Sequence, residues 1–370
     1  MSYEIIRGPF ILMETVEMLY KYVNNISFLN IASRLRLLRG GMDAEMQRRM
    51  ERLQKLTQEV CGGLDPNDPV LRKYFEKVAT DCYLDDTCLA LMLTCSFCTM
   101  KVQDLRGNIE EICQIWESLQ KRGAWIRRCG ISGLEFSSGC GSPGDGFDQV
   151  YALELPADFR LTLYKTLREF RSSMEELRTL IEPVAEKLQT ALENEPWLMG
   201  GMEQYWDEVW KHQEPHDFLV RTADETAIVG AGEKTLVAYS LMSCDRLVFD
   251  MAGASLICQE HNFLYIGSTV TKDSTARRLN VDIGGVGAIM KSIGDKKRLE
   301  ILQRLSKKRS YCHELADQMG LDPGHMSRNL SVLHSYGFLR QERESLKNYY
   351  RTDPEAIRNF LKVVETTILG

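Results

Sequence analysis

At 370 residues, with 44% hydrophobic and 26% charged side chains, the chain can bury more than one core and has the balance of a soluble globular protein. No apolar run reaches membrane-spanning length, and the opening MSYEIIRGPF lacks the basic-then-apolar layout of a secretory leader. A cytoplasmic protein with no membrane partner is expected, and its eleven cysteines read as free thiols rather than a disulfide framework.

The net charge of -6 is unevenly spread. From Gly285 to the end there are 15 Lys/Arg against 10 Asp/Glu, and the rest of the chain holds 31 against 42. A basic tail on an acidic body suits a small DNA footprint attached to a larger module that does not touch DNA.

Residues 1–60 read as helical, opening on Ile5, Ile6, Phe10 and Ile11 and continuing through Ser27–Leu38 and Asp43–Val60. The basic patch Arg34, Arg36 and Arg39 reads as a solvated helix face rather than a phosphate site. Gly62-Gly63 and Asp65–Pro69 form a loop and a helix start. Val70–Arg128 is expected to hold three helices, with Cys82, Cys88, Cys95, Cys98 and Cys113. The pair Cys95 and Cys98 has the spacing of half a zinc site or a redox pair, but no second half exists in the chain. Cys88, Cys95 and Cys98 share an apolar helical face with Leu91 and Met92, which favours core packing.

Gly139–Gly146 is glycine-rich but lacks the Gly-Lys-Ser/Thr ending of a phosphate loop, and reads as a surface loop. A helical region follows from Leu155 to Lys211, and its aromatic end (Trp197, Tyr205, Trp206, Trp210) is expected to be core. Glu208, His212 and His216 invite a metal, but Pro215 interrupts the helix they would share, so no metal site is assigned. Ala227–Val229, Thr235–Ser240, Arg246–Phe249, Ser255–Cys258 and Phe263–Gly267 predict a small antiparallel sheet, and Thr271–Asn280 a linker.

Val281-Asp282-Ile283-Gly284-Gly285-Val286-Gly287 is similar to the glycine motif of S-adenosylmethionine-dependent methyltransferases, a sharp strand-to-helix turn. Such a site needs several further βαβ units, and too little chain remains. The motif is read instead as a glycine-rich joint before the next helix, with no cofactor implied. No hydrolase, zincin or phosphate-loop pattern appears, and no catalytic residue is assigned.

Ser310–Thr352 carries the most organised pattern. Ser310 is read as the N-cap of a helix turning Leu315 and Met319 inward, and Gly320 ends it. Asp322 caps a second helix with Pro323 at its first position. Met326, Leu330, Leu333 and His334 form its inner stripe, and Gly337 its stop. Its outer face shows Gly324, His325, Ser327, Arg328, Asn329 and Ser331, small or polar side chains able to approach base edges and phosphates. A hairpin follows, with Arg343 and Lys347 near its tip. Two helices and a wing make the pattern of a winged helix-turn-helix DNA reader. His325, Ser327, Arg328, Asn329, Arg343 and Lys347 are therefore the candidate DNA contacts. The last helix, from Pro354, turns Ile357, Phe360, Leu361, Val364 and Ile368 to one side, a stripe that must pack on its own domain or on a partner copy and so is a candidate dimerisation stripe.

On SIGDKKRLEILQRL (Ser292–Leu305), ELADQMGLDPGHMSRNLSVLHSYGFL (Glu314–Leu339) and NYYRT (Asn348–Thr352), the segment Ile293–Arg351 resembles the ArsR-type winged-helix transcriptional regulators. The resemblance implies a homodimer and a double-stranded DNA partner. Metal-sensing members carry a CxC pair before the first motif helix, where this chain has Tyr311 and His313 flanking Cys312, so metal sensing is not implied.

The expected fold is thus α+β and mainly α: a helical N-terminal body with a small antiparallel β region, then a C-terminal winged helix-turn-helix. Expected divisions are 1–150 and 151–280, both regulatory, and 281–370 for DNA binding. The expected function is a transcriptional regulator whose N-terminal module answers to an unidentified small-molecule effector. The alternatives are a small-molecule-modifying enzyme and an interaction adaptor, either using the winged helix for dimerisation or docking.

Overall fold

The computed structural model describes residues 2–39, 42–78, 87–97, 99, 104–130, 133–137, 146–153, 155–218, 234–250, 261–272, 283–336, 338–344 and 347–369. It is mainly helical with small sheets, an α+β fold. Among the described residues no helix is long and apolar enough to cross a membrane. The chain divides into two compact units, Met1–Ala32 with Asp43–Ser274, and Ser33–Met42 with Thr275–Gly370.

The first unit opens with a strand, β1 (Tyr3–Ile6), where the sequence reading expects helix. Helices α1 (Ile11–Val23), α2 (Phe28–Arg39), α3 (Ala44–Cys61), α4 (Pro69–Phe75), α5 (Leu89–Phe97) and α6 (Leu105–Lys121) follow, α2 running on into the second unit. Asp43, Asp68 and Asp104 each cap their helix by accepting backbone N–H groups. A hairpin of β2 (Trp125–Gly130) and β3 (Gly133–Ser137) cuts short the expected third helix, because the chain leaves α6 through Gly123 at φ +64° and turns extended. Helices α7 (Gly146–Tyr151), α8 (Ala157–Arg168), α9 (Phe170–Asn194) and α10 (Trp197–Trp210) complete the helical part.

Strands β4 (Lys234–Ser240), β5 (Leu247–Asp250) and β6 (His261–Gly267) join β1 in the order β1-β4-β6-β5. Here the expectation of an antiparallel sheet is corrected. β1–β4 and β4–β6 are parallel, and only β5–β6 is antiparallel. The physical reason is long-range pairing: β4 and β6 are joined by a crossover rather than a tight turn, and β4 takes its other neighbour from the chain start. Phe10, Met13, Ala238, Phe263 and Tyr265 make a core cluster of this unit.

Helix α1 is buried almost all round, and its polar residues are buried with it. The Glu14 carboxylate accepts the N–H groups of Leu241 and Met242 at 3.0 and 2.7 Å, in the turn that follows β4. Burial pushes the Glu14 carboxyl up to about 7. Glu17 pairs with Lys21 at 3.2 Å and Arg246 at 2.7 Å. Burial raises its pKa, and the two cations outweigh that and hold it below the ordinary carboxylate range.

The aromatic end of α10 is core: Trp206 and Trp210 stack at 4.8 Å, and Trp210 Nε1 donates to the Tyr239 hydroxyl at 3.0 Å. Cys88 is buried and Cys95 half-buried, both free thiols, and burial pushes Cys95 up to about 12. Cys98, Gly139–Asp145, Ala227–Val229, Ser255–Cys258, most of Thr271–Asn280, Val281, Asp282 and Gly337 lie outside the described residues.

The second unit runs α11 (Ile283–Ile293), α12 (Lys296–Lys307), β7 (Ser310–Tyr311), α13 (Cys312–Met319), α14 (Pro323–Ser335), β8 (Leu339–Glu344), β9 (Lys347–Thr352) and α15 (Pro354–Leu369). Gly284, Gly285 and Gly287 fall inside α11 rather than ahead of it, which corrects the reading of a glycine-rich joint.

Candidate nucleic-acid interface

Ile301, Leu302 and Leu305 turn the inner face of α12 into the core of the second unit, and Asp295 caps it through Lys297 N and Arg298 N. Ser310 is not the cap of the next helix. It is buried in β7, and its hydroxyl bonds the Glu314 carboxylate at 2.5 Å, holding that carboxyl below its usual range. The strand pairs with β9, which withdraws Ser310 from capping; Tyr311 precedes α13 instead, with no side-chain cap.

Helix α13 ends on Gly320 at φ +60°, and Leu321 N donates back to Ala316 O at 2.9 Å. This left-handed stop ends the helix, and the next one starts after Gly320, Leu321 and Asp322. Asp322 then accepts from His325 N at 3.1 Å, and Pro323 occupies the first helical position. The inner stripe of α14 is real: Met326, Leu330 and Leu333 are all buried, and His334 is half-buried with its ring 6.3 Å from that of Tyr350. A stripe this deeply buried sets the opposite face outward. His325, Ser327, Arg328 and Ser331 are exposed along it. Asn329 is half-buried and donates its Nδ2 to His325 O at 2.9 Å, so its amide nitrogen is engaged within its own helix.

Strands β8 and β9 form the hairpin, in the sheet order β7-β9-β8. Thr352 anchors the hairpin by donating to Leu302 O at 2.7 Å, and Arg340 pairs with Asp353 at 2.7 Å. Arg343 stands opposite Asn348 in the register; its side chain lies outside the described residues. Lys347 is exposed, with its ammonium 4.2 Å from the Tyr311 ring centre. Tyr311 meets Tyr349 edge-on at 5.5 Å, and the Arg309 guanidinium lies 5.1 Å from the Tyr349 ring.

Those two tyrosines escape the sequence reading. The signal for them is the two-residue alternation Arg309, Tyr311 and Lys347, Tyr349, which puts rings and cations on one face of paired strands.

The terminal stripe divides. Phe360 is buried in its own unit, with its ring 5.5 Å from Phe338. Ile357 and Val364 are half-buried, whereas Leu361 and Ile368 are 57% and 67% exposed. Helix α15 packs on α11, whose Met290 is also exposed.

No protein-family model matches the chain. Among solved structures it is similar to the solution NMR structure of a homodimeric winged helix-turn-helix DNA-binding domain from Mycobacterium bovis, described as a possible ArsR-family transcriptional regulator. The identity is 30%, the match covers 23% of this chain and 79% of that one, and the TM-score is 0.19.

Proposed function

We propose that the protein is a DNA-binding transcriptional regulator whose C-terminal unit is a winged helix-turn-helix. The observation that carries the reading is α14: a helix with a buried Met326, Leu330, Leu333 stripe and an exposed face of His325, Ser327, Arg328 and Ser331. It follows a left-handed turn at Gly320 and precedes a two-stranded hairpin. In this reading α14 enters the major groove, where Ser327 and Arg328 meet base edges, and His325 and Asn329 lie beside them. Arg343 and Lys347 meet backbone phosphate or the minor groove. Local charge supports it, since the tail is basic on an acidic chain.

The regulator acts as a homodimer on a palindromic operator. Exposed Leu361 and Ile368 on α15, with Met290 on α11, support a contact between copies. The first unit is the regulatory module, answering to a small-molecule effector, and no catalytic role is assigned to the chain. Footprinting on a selected duplex tests the dimer: two protected half-sites related by a twofold are expected, and one unrepeated half-site bound by a monomer contradicts it.

A further inference from the structure

The first unit holds a buried cation with fewer partners than its burial calls for. Arg49 stands on α3 with its side chain 6% exposed. Its Nη2 donates to Glu45 Oε1 at 2.6 Å, and its Nη1 reaches the Ser268 carbonyl only at 3.5 Å. The Nε is buried and has no acceptor among the described residues. A guanidinium offers five N–H donors in a rigid fork that suits two oxygens at once, and here the carboxylate touches one prong. Burial lowers the Arg49 pKa, with Glu45 and Asp43 opposing it.

The position is a ligand-binding one in parallel sheets. Ser268 follows the carboxyl end of β6, and Leu241–Cys244 follows that of β4. Ser268 Oγ donates to Leu241 O at 3.3 Å and Thr269 Oγ1 to Cys244 O at 2.8 Å, which ties the two strand ends together beside Arg49. Ligands of open parallel sheets bind outside such ends. On the other side α10 presents Gly201, where a Cβ would stand 3.0 Å from Arg49 Nη2 and far closer to Glu45 Oε1. A glycine inside a helix weakens it, and here it leaves the room beside the guanidinium that the Glu45 carboxylate fills. Glu45 itself is 58% exposed, so the pair is sealed at the arginine and open at the carboxylate.

We infer that Arg49 anchors a binding site for a small oxyanion, a carboxylate or phosphate group, which displaces Glu45 and takes the guanidinium fork with two oxygens. Glu45 is the internal placeholder, free to swing into solvent when the ligand arrives. The site stands independently of the DNA reading.

The test is thermal unfolding of the full chain in inorganic phosphate or in acetate, against sodium chloride at equal ionic strength. One or both anions should raise the Tm by at least about 3 °C at saturation. The Arg49→Met variant should lose that rise. Phosphate alone acting assigns a phosphate ligand, and acetate alone a carboxylate. No rise with either anion, or an equal rise in Arg49→Met, overturns the site. Glu45→Gln keeps the test open should the methionine variant fail to fold: with the internal competitor removed, half the rise should come at several-fold lower anion concentration. An unchanged half-saturation point would overturn the placeholder and the site with it.

Discussion

The Lys347 ammonium lies 4.2 Å from the centre of the Tyr311 ring, and Tyr311 is the register partner of Tyr349, whose ring carries Arg309 at 5.1 Å. An exposed cation–π contact contributes only about 0.5–1 kcal/mol, so its main effect is to fix where Lys347 stands. Replacing Tyr311 with Leu should release that cation. Duplex binding should weaken at all sequences alike, and the slope of log K against log salt should fall by about one phosphate contact. Tyr311→Phe keeps the ring and should keep the slope. Anisotropy titrations over a salt series read both, and an unchanged slope in Tyr311→Leu would deny Lys347 a phosphate role.

Gly320 holds the turn between α13 and α14 at φ +60°, with open space where a Cβ would lie. The cost of Gly320→Ala is therefore conformational alone, roughly 1–2 kcal/mol of stability. Urea unfolding should show that loss as a lower midpoint with an unchanged m-value.

Glu14 makes stability depend on pH. Its carboxyl titrates at about 7 in the folded chain against an ordinary 4.5, so the folded state holds its proton more tightly than the unfolded one. The stability this contributes is full below pH 4.5 and is lost as pH rises through about 7, an effect of order 3 kcal/mol. Glu17 runs the other way, since its lowered pKa gives stability that is lost only as pH falls through the acid range. Denaturation between pH 5 and pH 8 isolates Glu14. Stability should decline over that window in the natural chain, and Glu14→Gln should flatten the decline.

Leu361 and Ile368 are the exposed part of the α15 stripe. The double substitution Leu361→Glu, Ile368→Glu should yield a monomer by analytical ultracentrifugation and a lower affinity for an inverted repeat. A variant that stayed dimeric would move the contact between copies elsewhere.

Much of the second unit was legible because its signals are local. Gly320, Asp322 and Pro323 mark the turn within four residues, and the Met326, Leu330, Leu333 stripe sits at helical spacing. What the sequence hid depends on distant partners. Ser310 has the chemistry of a cap, but β9 claims it for a strand. The Phe360 stripe could pack on its own domain or on a second copy, and only the contact with Phe338 shows that Phe360 itself packs at home. In the first unit, α1 falls within the stretch read as helical, but nothing local shows that its Glu14 finds backbone donors 227 and 228 residues away. The edge strand β1 and the parallel β4–β6 pairing were hidden for the same reason: neither neighbour is a sequence neighbour.

The most direct test of the DNA reading is duplex selection from a random library at near-physiological salt, with the natural chain beside a Ser327→Ala/Arg328→Ala double variant. The expected result is an inverted repeat enriched by the natural chain alone, each lost base contact costing about 1–3 kcal/mol. No enriched sequence, or the same repeat enriched by both proteins, would contradict α14 as the reading helix.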